Sequence, residues 1–233
     1  AYVYTRITMS IKVWPIQERP REKLLTLGSH HLSDAELIAV VLGAGTMGKT
    51  AVALARELLG EMGSLREVVN STQATFTKTP GIGPCKYAQF QAAFEIFRRN
   101  LEIPLKRQDV FHNVDDTKIY LQAALRDCQQ EKFGMLMLDS QHQLIAFRIM
   151  FTGTINSAAV YPRELVKQVM KDNAAAIILV HNHPSGVAEP SHADIRLTQE
   201  IRSAMTMIDV AVLDHFVVGD TETVSFAQRG LLN

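Results

Sequence analysis

Two histidines separated by one residue, with an aspartate further along the chain, form the most distinctive chemical pattern in this sequence. His181 and His183 follow an apolar run, and Asp194 lies eleven residues after His183. Because residues i and i+2 of a strand point to the same face, the two imidazoles can lie side by side. Two imidazoles and one carboxylate leave a tetrahedral metal ion one open position for water. The spacing therefore predicts a divalent-metal site, with one zinc ion per chain as the expected occupant.

A strand, a turn and a helix must position these ligands. The apolar run Ala174 to Val180 predicts a central strand, and Pro184 and Gly186 then turn the chain. A helix is predicted from His192 to Met207, with Asp194 in its first turn. Further strands are predicted at 133–138, 144–151, 210–212 and 216–218, with another helix at 162–172. This part of the chain therefore has the pattern of a mixed α/β domain.

The N-terminal part has a helical pattern instead. Ser33 and Glu36 have the spacing of a capping box, and further helices are predicted at 50–59, 64–69 and 86–99. Residues 101–113 lack a sustained period and are interpreted as a linker. We predict an N-terminal arm at 1–20, a helical domain at 21–100, this linker, and a metal-binding domain at 114–233. Met9 is expected to be the natural start, with residues 1–8 as an extension.

The composition is that of an ordinary soluble protein with two unlike halves. Hydrophobic residues make up 47% of the chain and charged residues 21%. Residues 1–113 carry 14 Lys and Arg against 10 Asp and Glu, whereas residues 114–233 carry 10 against 14. We expect a cytoplasmic protein without membrane association, because no apolar run could cross a bilayer and no secretory signal is visible. Cys85 and Cys128 are expected to be reduced thiols, since neither has metal-ligand spacing.

A glycine-rich turn in the mildly basic half has the form of a helix-hairpin-helix turn, which binds DNA without sequence preference. Gly81 and Gly83 allow a tight turn close to a phosphate, and Lys86 adds positive charge at the start of the next helix. Many helical hairpins need glycine for the turn alone, so that interpretation stays open. Residues 43–49 are either a degenerate partner hairpin or a plain loop. Arg98 and Arg99 are interpreted as solvated charges at a helix end.

The C-terminal motifs resemble the JAMM (MPN+) metalloprotease signature, His-x-His-Pro followed by Ser-x-x-Asp. Segments 160–164, 173–176, 181–186 and 212–216 are similar to the RadC family, long described as DNA repair proteins. The similarity covers nearly the whole chain from Met9 onward. It implies an α/β C-terminal JAMM/MPN-like domain, with a mixed sheet flanked by helices, preceded by an all-α helix-hairpin-helix domain.

The resemblance implies roles for individual residues. Zinc would be held by His181, His183 and Asp194, and a water molecule activated by the metal would be the nucleophile. Ser191 would help to stabilise the oxyanion of the reaction. Its position at the start of a helix fits an N-cap as well, and the two roles are compatible.

Two further polar residues are candidates for supporting the ligands. Asp214 or His215 could orient a ligand imidazole through a hydrogen bond. A buried polar pair packed under the sheet is an equally good interpretation of the same two residues. The sequence leaves this choice open.

A general base is not evident where the resemblance leads us to expect one. JAMM enzymes use a Glu on an earlier strand, which we expect to be 144–151, and this segment contains no acid. Arg148 lies near the expected position, but a guanidinium stays protonated and cannot accept a proton. Glu164 is the nearest substitute, although it could equally serve the helix start, and Glu189 is another candidate.

Three functions fit these patterns. The first is a zinc-dependent hydrolase of the JAMM metallopeptidase type, linked to DNA repair through a DNA-binding helical domain, with an unidentified protein or peptide substrate. The second is a metal-dependent nuclease, although such sites often use two metals. The third is a non-catalytic, zinc-containing interaction module for DNA processing, which the missing base favours.

Overall fold

A computed structural model describes residues 10–107, 109–110, 114–153 and 160–232 of the chain. The chain divides into two compact units, Ala1–Ile96 and Phe97–Asn233. Our expectation for residues 1–8 lies outside the described residues, as does the part of the predicted linker at 108 and 111–113. No helix within the described ranges is both long and apolar enough to cross a membrane.

The first unit is helical, as the sequence predicted. Its elements are α1 (Pro20–Leu27), α2 (Asp34–Leu42), α3 (Ala51–Met62), α4 (Leu65–Asn70), α5 (Gln73–Phe76) and the first part of α6 (Pro84–Leu105), with short 3-10 helices at Ile11–Val13, Ile16–Glu18 and Ser29–His31. The apolar faces of these helices pack around a common core. Its fully buried side chains include Ile38, Leu54, Leu58, Val68 and Phe76.

Local sequence explains where α2 begins and ends. The Ser33 hydroxyl accepts a hydrogen bond from the Glu36 backbone, and Ser33 N donates to Glu36 Oε2 at 2.8 Å, which completes the predicted capping box. Gly43 follows the helix at φ +71°. Glycine adopts this left-handed conformation at little cost, so the helix ends there.

Helix α6 extends further than the sequence predicted. We expected it to end at Arg99 and a linker to follow, but it continues to Leu105 and includes Pro104. Leu101 and Leu105 pack into the apolar core of the second unit, with Leu105 only 1% exposed. Burial of these side chains offsets the backbone hydrogen bond that a proline removes from a helix. The predicted end of this helix at Arg99 is therefore wrong.

The second unit is a mixed sheet flanked by helices, again as predicted. Its further elements are α7 (Val114–Leu125), β1 (Lys132–Leu138), β2 (Leu144–Thr152), α8 (Pro162–Asp172), β3 (Ala176–Asn182), α9 (His192–Thr206), β4 (Ala211–Val218) and β5 (Thr223–Ser225). The strand order is β2-β1-β3-β4-β5. Strands β3 and β4 are parallel, and the other neighbouring pairs are antiparallel.

Strand β3 forms the centre of this sheet, and all of its residues are buried. Ile177 and Leu179 pack on one face, in the cluster that contains residues of α8 and α9. Ile178 and Val180 pack on the other face, in the cluster that contains residues of α7. Each such side chain stabilises the fold by about 1.5–3 kcal/mol through burial. The same alternation places His181 on the face covered by α8 and α9.

Strand β4 corrects the prediction of two short strands at 210–212 and 216–218. It is one continuous strand that runs through Asp214 and His215. These two residues are 3% and 0% exposed, and their side chains make hydrogen bonds inside the fold. Because buried polar groups with partners are tolerated, the strand continues across the point where the apolar pattern breaks.

Candidate metal centre

The end of β3 brings the two predicted imidazoles into one space. His181 is the sixth residue of β3 and is 1% exposed, and His183 follows the strand directly. The His183 backbone N donates to Val218 O at 2.9 Å, which continues the pairing with β4 beyond the strand end. Both side chains therefore point to the same face. Their Nε2 atoms are 3.0 Å apart.

Asp194 reaches this space from the N-terminus of α9. It completes a capping box with Ser191, whose N and Oγ donate to Asp194 Oδ2 at 2.7 and 2.6 Å. Asp194 Oδ1 lies 3.5 Å from His181 Nε2, and Oδ2 lies 3.7 Å from His183 Nε2. The structure thus brings the three predicted ligands together. The capping box holds the carboxylate in place.

A buried hydrogen-bond chain determines which nitrogen of His181 carries its proton. The Thr198 hydroxyl lies 2.6 Å from the backbone carbonyl oxygen of Asp194. A carbonyl oxygen can only accept, so the hydroxyl donates its single proton to it. Thr198 Oγ1 must then accept from His215 Nδ1, which is also 2.6 Å away. This leaves His215 Nε2 as an acceptor, and at 2.8 Å it takes the proton of His181 Nδ1. His181 Nε2 is therefore free of a proton and available as a ligand.

The second histidine is oriented in the same way. His183 Nδ1 lies 2.8 Å from Val187 O, a carbonyl that can only accept, so Nδ1 carries the proton. The Nε2 lone pairs of His181 and His183 then face each other and the Asp194 carboxylate. Converging acceptors of this kind favour a cation between them. The donor set of two imidazoles and one carboxylate suits zinc.

The pKa shifts of these residues favour a positive charge between the two histidines and Asp194. The neighbouring Asp194 carboxylate raises the pKa of His183, although burial opposes this change. Burial raises the pKa of Asp194, but the neighbouring imidazoles of His181 and His183 outweigh burial and leave that pKa well below its ordinary value. Burial lowers the pKa of His215 well below its ordinary value, so His215 stays neutral in the hydrogen-bond chain.

Sequence reasoning missed an acid that the structure places beside the two histidines. A carboxylate oxygen of Glu131 and one ring nitrogen each of His181 and His183 all lie within 4.8 Å of one another. The resemblance led us to look for an acid on the strand at 144–151, which contains none. Glu131 directly precedes β1, which pairs antiparallel with β3 in a register that sets Phe133 opposite His181. Only this register brings residue 131 to the histidines.

Asn182, between the two histidines, holds the segment that carries Glu131. It is 1% exposed, and its Oδ1 accepts from Lys132 N at 2.8 Å. Its Nδ2 donates to the carbonyls of Cys128 and Gln130 at 3.2 and 3.3 Å. The middle residue of the His-x-His pattern therefore holds the backbone that leads into β1 through hydrogen bonds.

Glu164 and Glu189, which the sequence suggested as general bases, contact other residues. Glu164 is on the exposed part of α8, where its Oε1 lies 3.0 Å from Lys167 Nζ and 3.3 Å from Arg163 Nε. The Lys167 hydrogen bond lowers the pKa of Glu164, which makes it a weaker base. Glu189 is bonded to Arg229 at 2.6 Å. Neither carboxylate belongs to the cluster at the histidines within the described residues.

The two candidates for supporting residues have different positions. His215 contacts His181, as described above. Asp214 instead accepts hydrogen bonds from His215 N at 2.7 Å, Ser225 Oγ at 2.5 Å and Ala227 N at 2.9 Å. Asp214 therefore fastens β5 and the following turn to β4, and burial raises its pKa.

Replacing Thr198 with valine is expected to weaken metal binding at this centre by about 10–100-fold, the usual cost of losing a group that orients a metal ligand. Valine keeps the shape of the side chain but cannot accept the His215 Nδ1 proton. His215 can then change tautomer, which removes the acceptor for His181 Nδ1. Zinc affinity measured by competition with a chelator checks this result.

Thr206→Val is the matched control for this variant. The Thr206 hydroxyl makes the same kind of contact on α9, to Arg202 O at 2.9 Å, and the residue is exposed. Equal zinc affinities of the two variants would show that the hydrogen-bond chain does not orient the ligand.

The glycine-rich turn of the first unit lies between α5 and α6. Gly81 has φ +96°, and Ile82 beside it is 4% exposed and part of the core. Lys86 Nζ donates to Ala44 O at 2.5 Å, and burial lowers the pKa of Lys86. Gly83 has an ordinary backbone conformation and an open position, since an added Cβ would meet nothing within 4 Å. The sequence did not predict that the Lys86 side chain would bind the loop after α2.

Comparisons with known proteins find matches for both parts of the chain. A model of the RadC-like JAB domain matches residues 111–231, and a model of the UPF0758 N-terminal region matches residues 11–88. A UPF0758 protein of Alteromonas mediterranea is 78% identical over 224 residues, which cover 96% of this chain and the full length of that protein. UPF0758 proteins of Pseudoalteromonas atlantica and Photobacterium profundum are 57% and 54% identical over the same shares.

Proposed function

The chain belongs to the RadC-like JAB domain family and carries a UPF0758 N-terminal region, and from this membership we propose that it is a zinc-dependent hydrolase of the JAMM type. One observation carries the proposal. Two oriented imidazoles and a capped carboxylate converge on one point, and a second carboxylate lies beside them. A structural zinc site has no need of a second acid next to its ligands.

His181, His183 and Asp194 are the residues that hold the zinc ion in this proposal. Their free acceptor atoms and fixed tautomers support this assignment. When bound, zinc acts as a Lewis acid that polarises a substrate carbonyl and acidifies water. Three protein ligands keep one position open for this chemistry.

Glu131 is the general base of the proposed reaction. A carboxylate within reach of the metal ligands can take a proton from the attacking water and return it to the leaving amine. Asn182 keeps Glu131 in place through the backbone on both sides of it. This role replaces the one that the sequence offered to Glu164 and Glu189.

Ser191 has two tasks in the proposal. In the structure its hydroxyl donates to Asp194 Oδ2, which supports the capping interpretation. An oxyanion of the reacting carbonyl would compete with this carboxylate for the same proton. We propose that the hydroxyl turns to the substrate during the reaction, while the Ser191 N–H continues to hold Asp194.

The proposed substrate is a peptide or isopeptide bond in a protein, by similarity to JAMM enzymes. A nuclease is the alternative, and it commonly uses two metal ions about 3.5–4 Å apart. Among the residues that the structure describes, the candidate groups His181, His183, Asp194 and Glu131 lie together at one place, which favours the single-metal peptidase.

The experiment is hydrolysis by the purified full-length chain, stripped of metal by a chelator and then supplied with zinc. Peptide, Lys-linked isopeptide and DNA substrates are compared. We expect cleavage of a peptide or isopeptide bond that depends on zinc. Zinc-dependent cleavage of DNA alone would favour the nuclease. Stoichiometric zinc without cleavage of any substrate would contradict the hydrolase and favour a non-catalytic zinc module.

We also propose that the helical region binds DNA without sequence preference, through Gly81, Gly83 and Lys86. The positive φ of Gly81 and the burial of Ile82 support a rigid hairpin at the start of α6. Lys86 contributes charge at this surface although its ammonium is bonded to Ala44 O. A link to DNA repair or recombination remains part of this proposal.

A further inference from the structure

A cleft in the first unit is lined by none of the proposed hairpin residues Gly81, Gly83 and Lys86, and it has no role in the functions above. Its volume is about 810 Å³, and it is lined by the N-terminal segment, the start of α1, the end of α2 and the loop 43–50 that leads into α3. Small-molecule sites have volumes of roughly 300–1,000 Å³. The cleft is thus large enough for a nucleotide or a short stretch of nucleic-acid backbone.

The charge of the lining is strongly positive. Lys12, Arg19, Arg21 and Lys49 line the cleft, and among the described lining residues Glu22 is the single acid. The whole chain has a formal net charge of zero, so this concentration of cations is a local feature. A concave surface with one sign of charge attracts ions of the opposite sign.

Two of these cations are available to a ligand. Lys12 and Arg21 are exposed, and no ion pair engages either side chain within the part of the chain that the structure describes. The other two are held in place. Arg19 donates to Lys12 O at 2.7 Å and to Trp14 O at 3.0 Å, whereas Lys49 is bonded to Glu57 at 2.6 Å.

The loop 43–50 exposes its backbone to this cleft. Gly43 and Gly48 have φ +71° and +80°, and a Cβ added at either would meet nothing within 4 Å. The loop ends at Thr50, the N-cap of the 12-residue helix α3. Glycines and a helix N-terminus let backbone N–H groups approach an anion. In this loop the N–H groups of Gly43, Ala44, Thr46 and Lys49 already donate to carbonyl oxygens, so the exposed side-chain cations are the main contacts for an anion.

The loop sequence, Gly-Ala-Gly-Thr-Met-Gly-Lys-Thr, fits the pattern G-x-x-x-x-G-K-[ST] of phosphate-binding loops. Its context differs from theirs. The preceding element is helix α2, not a strand, and Thr46 and Lys49 close the loop with two backbone hydrogen bonds of 3.0 and 3.1 Å. The match therefore supplies no nucleoside-triphosphatase fold, and the lysine of the pattern, Lys49, is paired with Glu57.

We propose that this cleft binds phosphate groups, with Lys12 and Arg21 as its principal side-chain contacts. Two sources share this chemistry: a free nucleotide and the backbone of DNA. The loop also packs against the hairpin, because an added Cβ at Gly81 would lie 2.6 Å from Thr46 Cγ2. If DNA is the source, one strand can contact the hairpin and the cleft in turn.

Binding of two probes to the full-length chain tests the proposal. Fluorescently labelled ATP and a short labelled DNA duplex are titrated at low salt, with inorganic pyrophosphate as a competitor. The variant Lys12→Glu with Arg21→Glu is expected to bind at least one probe about 10-fold or more weakly, because two phosphate contacts become repulsive. Arg56→Glu, which reverses an exposed charge of α3 outside the lining, is the control.

Each outcome has a defined meaning. Weaker binding of ATP alone assigns the cleft to nucleotides, and weaker binding of the duplex alone assigns it to the DNA backbone. Lys12→Arg with Arg21→Lys keeps both charges, so it should retain binding and show that charge, not side-chain shape, is the cause. Unchanged binding of both probes by the charge-reversed variant, or no binding of either by the native chain, overturns the proposal. Hydrolysis is not measured, so a failure here leaves the zinc-hydrolase proposal untouched.

Discussion

Replacing both His181 and His183 with alanine is expected to reduce bound zinc from about one ion per chain to almost none. The substitution leaves Asp194 as the one remaining ligand of the proposed set, and its Oδ2 already accepts two hydrogen bonds from Ser191. Loss of a single supporting residue typically costs about 10–100-fold in metal affinity. Loss of two direct ligands should therefore exceed that range by a wide margin.

Metal analysis after dialysis measures this effect. His30→Ala with His31→Ala is the matched control, since it removes two neighbouring histidines from the exposed 3-10 helix of the first unit. Circular dichroism of both variants shows whether the fold survives, because His181 is buried. A double variant at 181 and 183 that keeps one tightly bound zinc per chain would contradict the metal assignment.

Replacing Glu131 with glutamine is expected to lower the rate of hydrolysis by about 10²–10⁴-fold, the usual contribution of a general base. Glutamine keeps the size of the side chain but cannot accept the proton of water at neutral pH. Zinc content should stay near one ion per chain, since the three proposed ligands are unchanged. The expected signature is a loss of kcat with little change in KM.

Glu164→Gln is the matched control for this variant. Glu164 is the acid that the sequence nominated, and the structure places it with Lys167 on the exposed side of α8. Its replacement should leave the rate unchanged. A large rate loss in Glu164→Gln together with an active Glu131→Gln would reverse the assignment of the base. Loss of zinc from Glu131→Gln would instead make Glu131 a metal ligand.

Much of the fold could be predicted because its elements carry local signals. The capping box at Ser33 and Glu36 and the helix from Pro162 to Asp172 were predicted from short stretches and are confirmed. The predictions failed where distant contacts outweigh local pattern. Leu105 keeps α6 helical past a proline by packing into the core. Buried partners keep β4 continuous across Asp214 and His215.

The same distinction between local signals and distant contacts applies to the candidate site. His181 and His183 share a face through the periodicity of one strand, and the capping box fixes the Asp194 carboxylate at the start of the helix that follows the turn. The sequence by itself therefore determined which three residues converge. Their spacing along the chain is short enough for local geometry to act.

The residues that complete the site come from elsewhere in the chain, and only the tertiary structure decided their positions. Glu131 reaches the histidines through the antiparallel register of β1 and β3, and His215 reaches His181 through the parallel pairing of β3 and β4. A strand register depends on packing across the whole sheet, and a shift of one residue would turn these side chains to the other face. No local pattern at residue 131 or 215 contains that information.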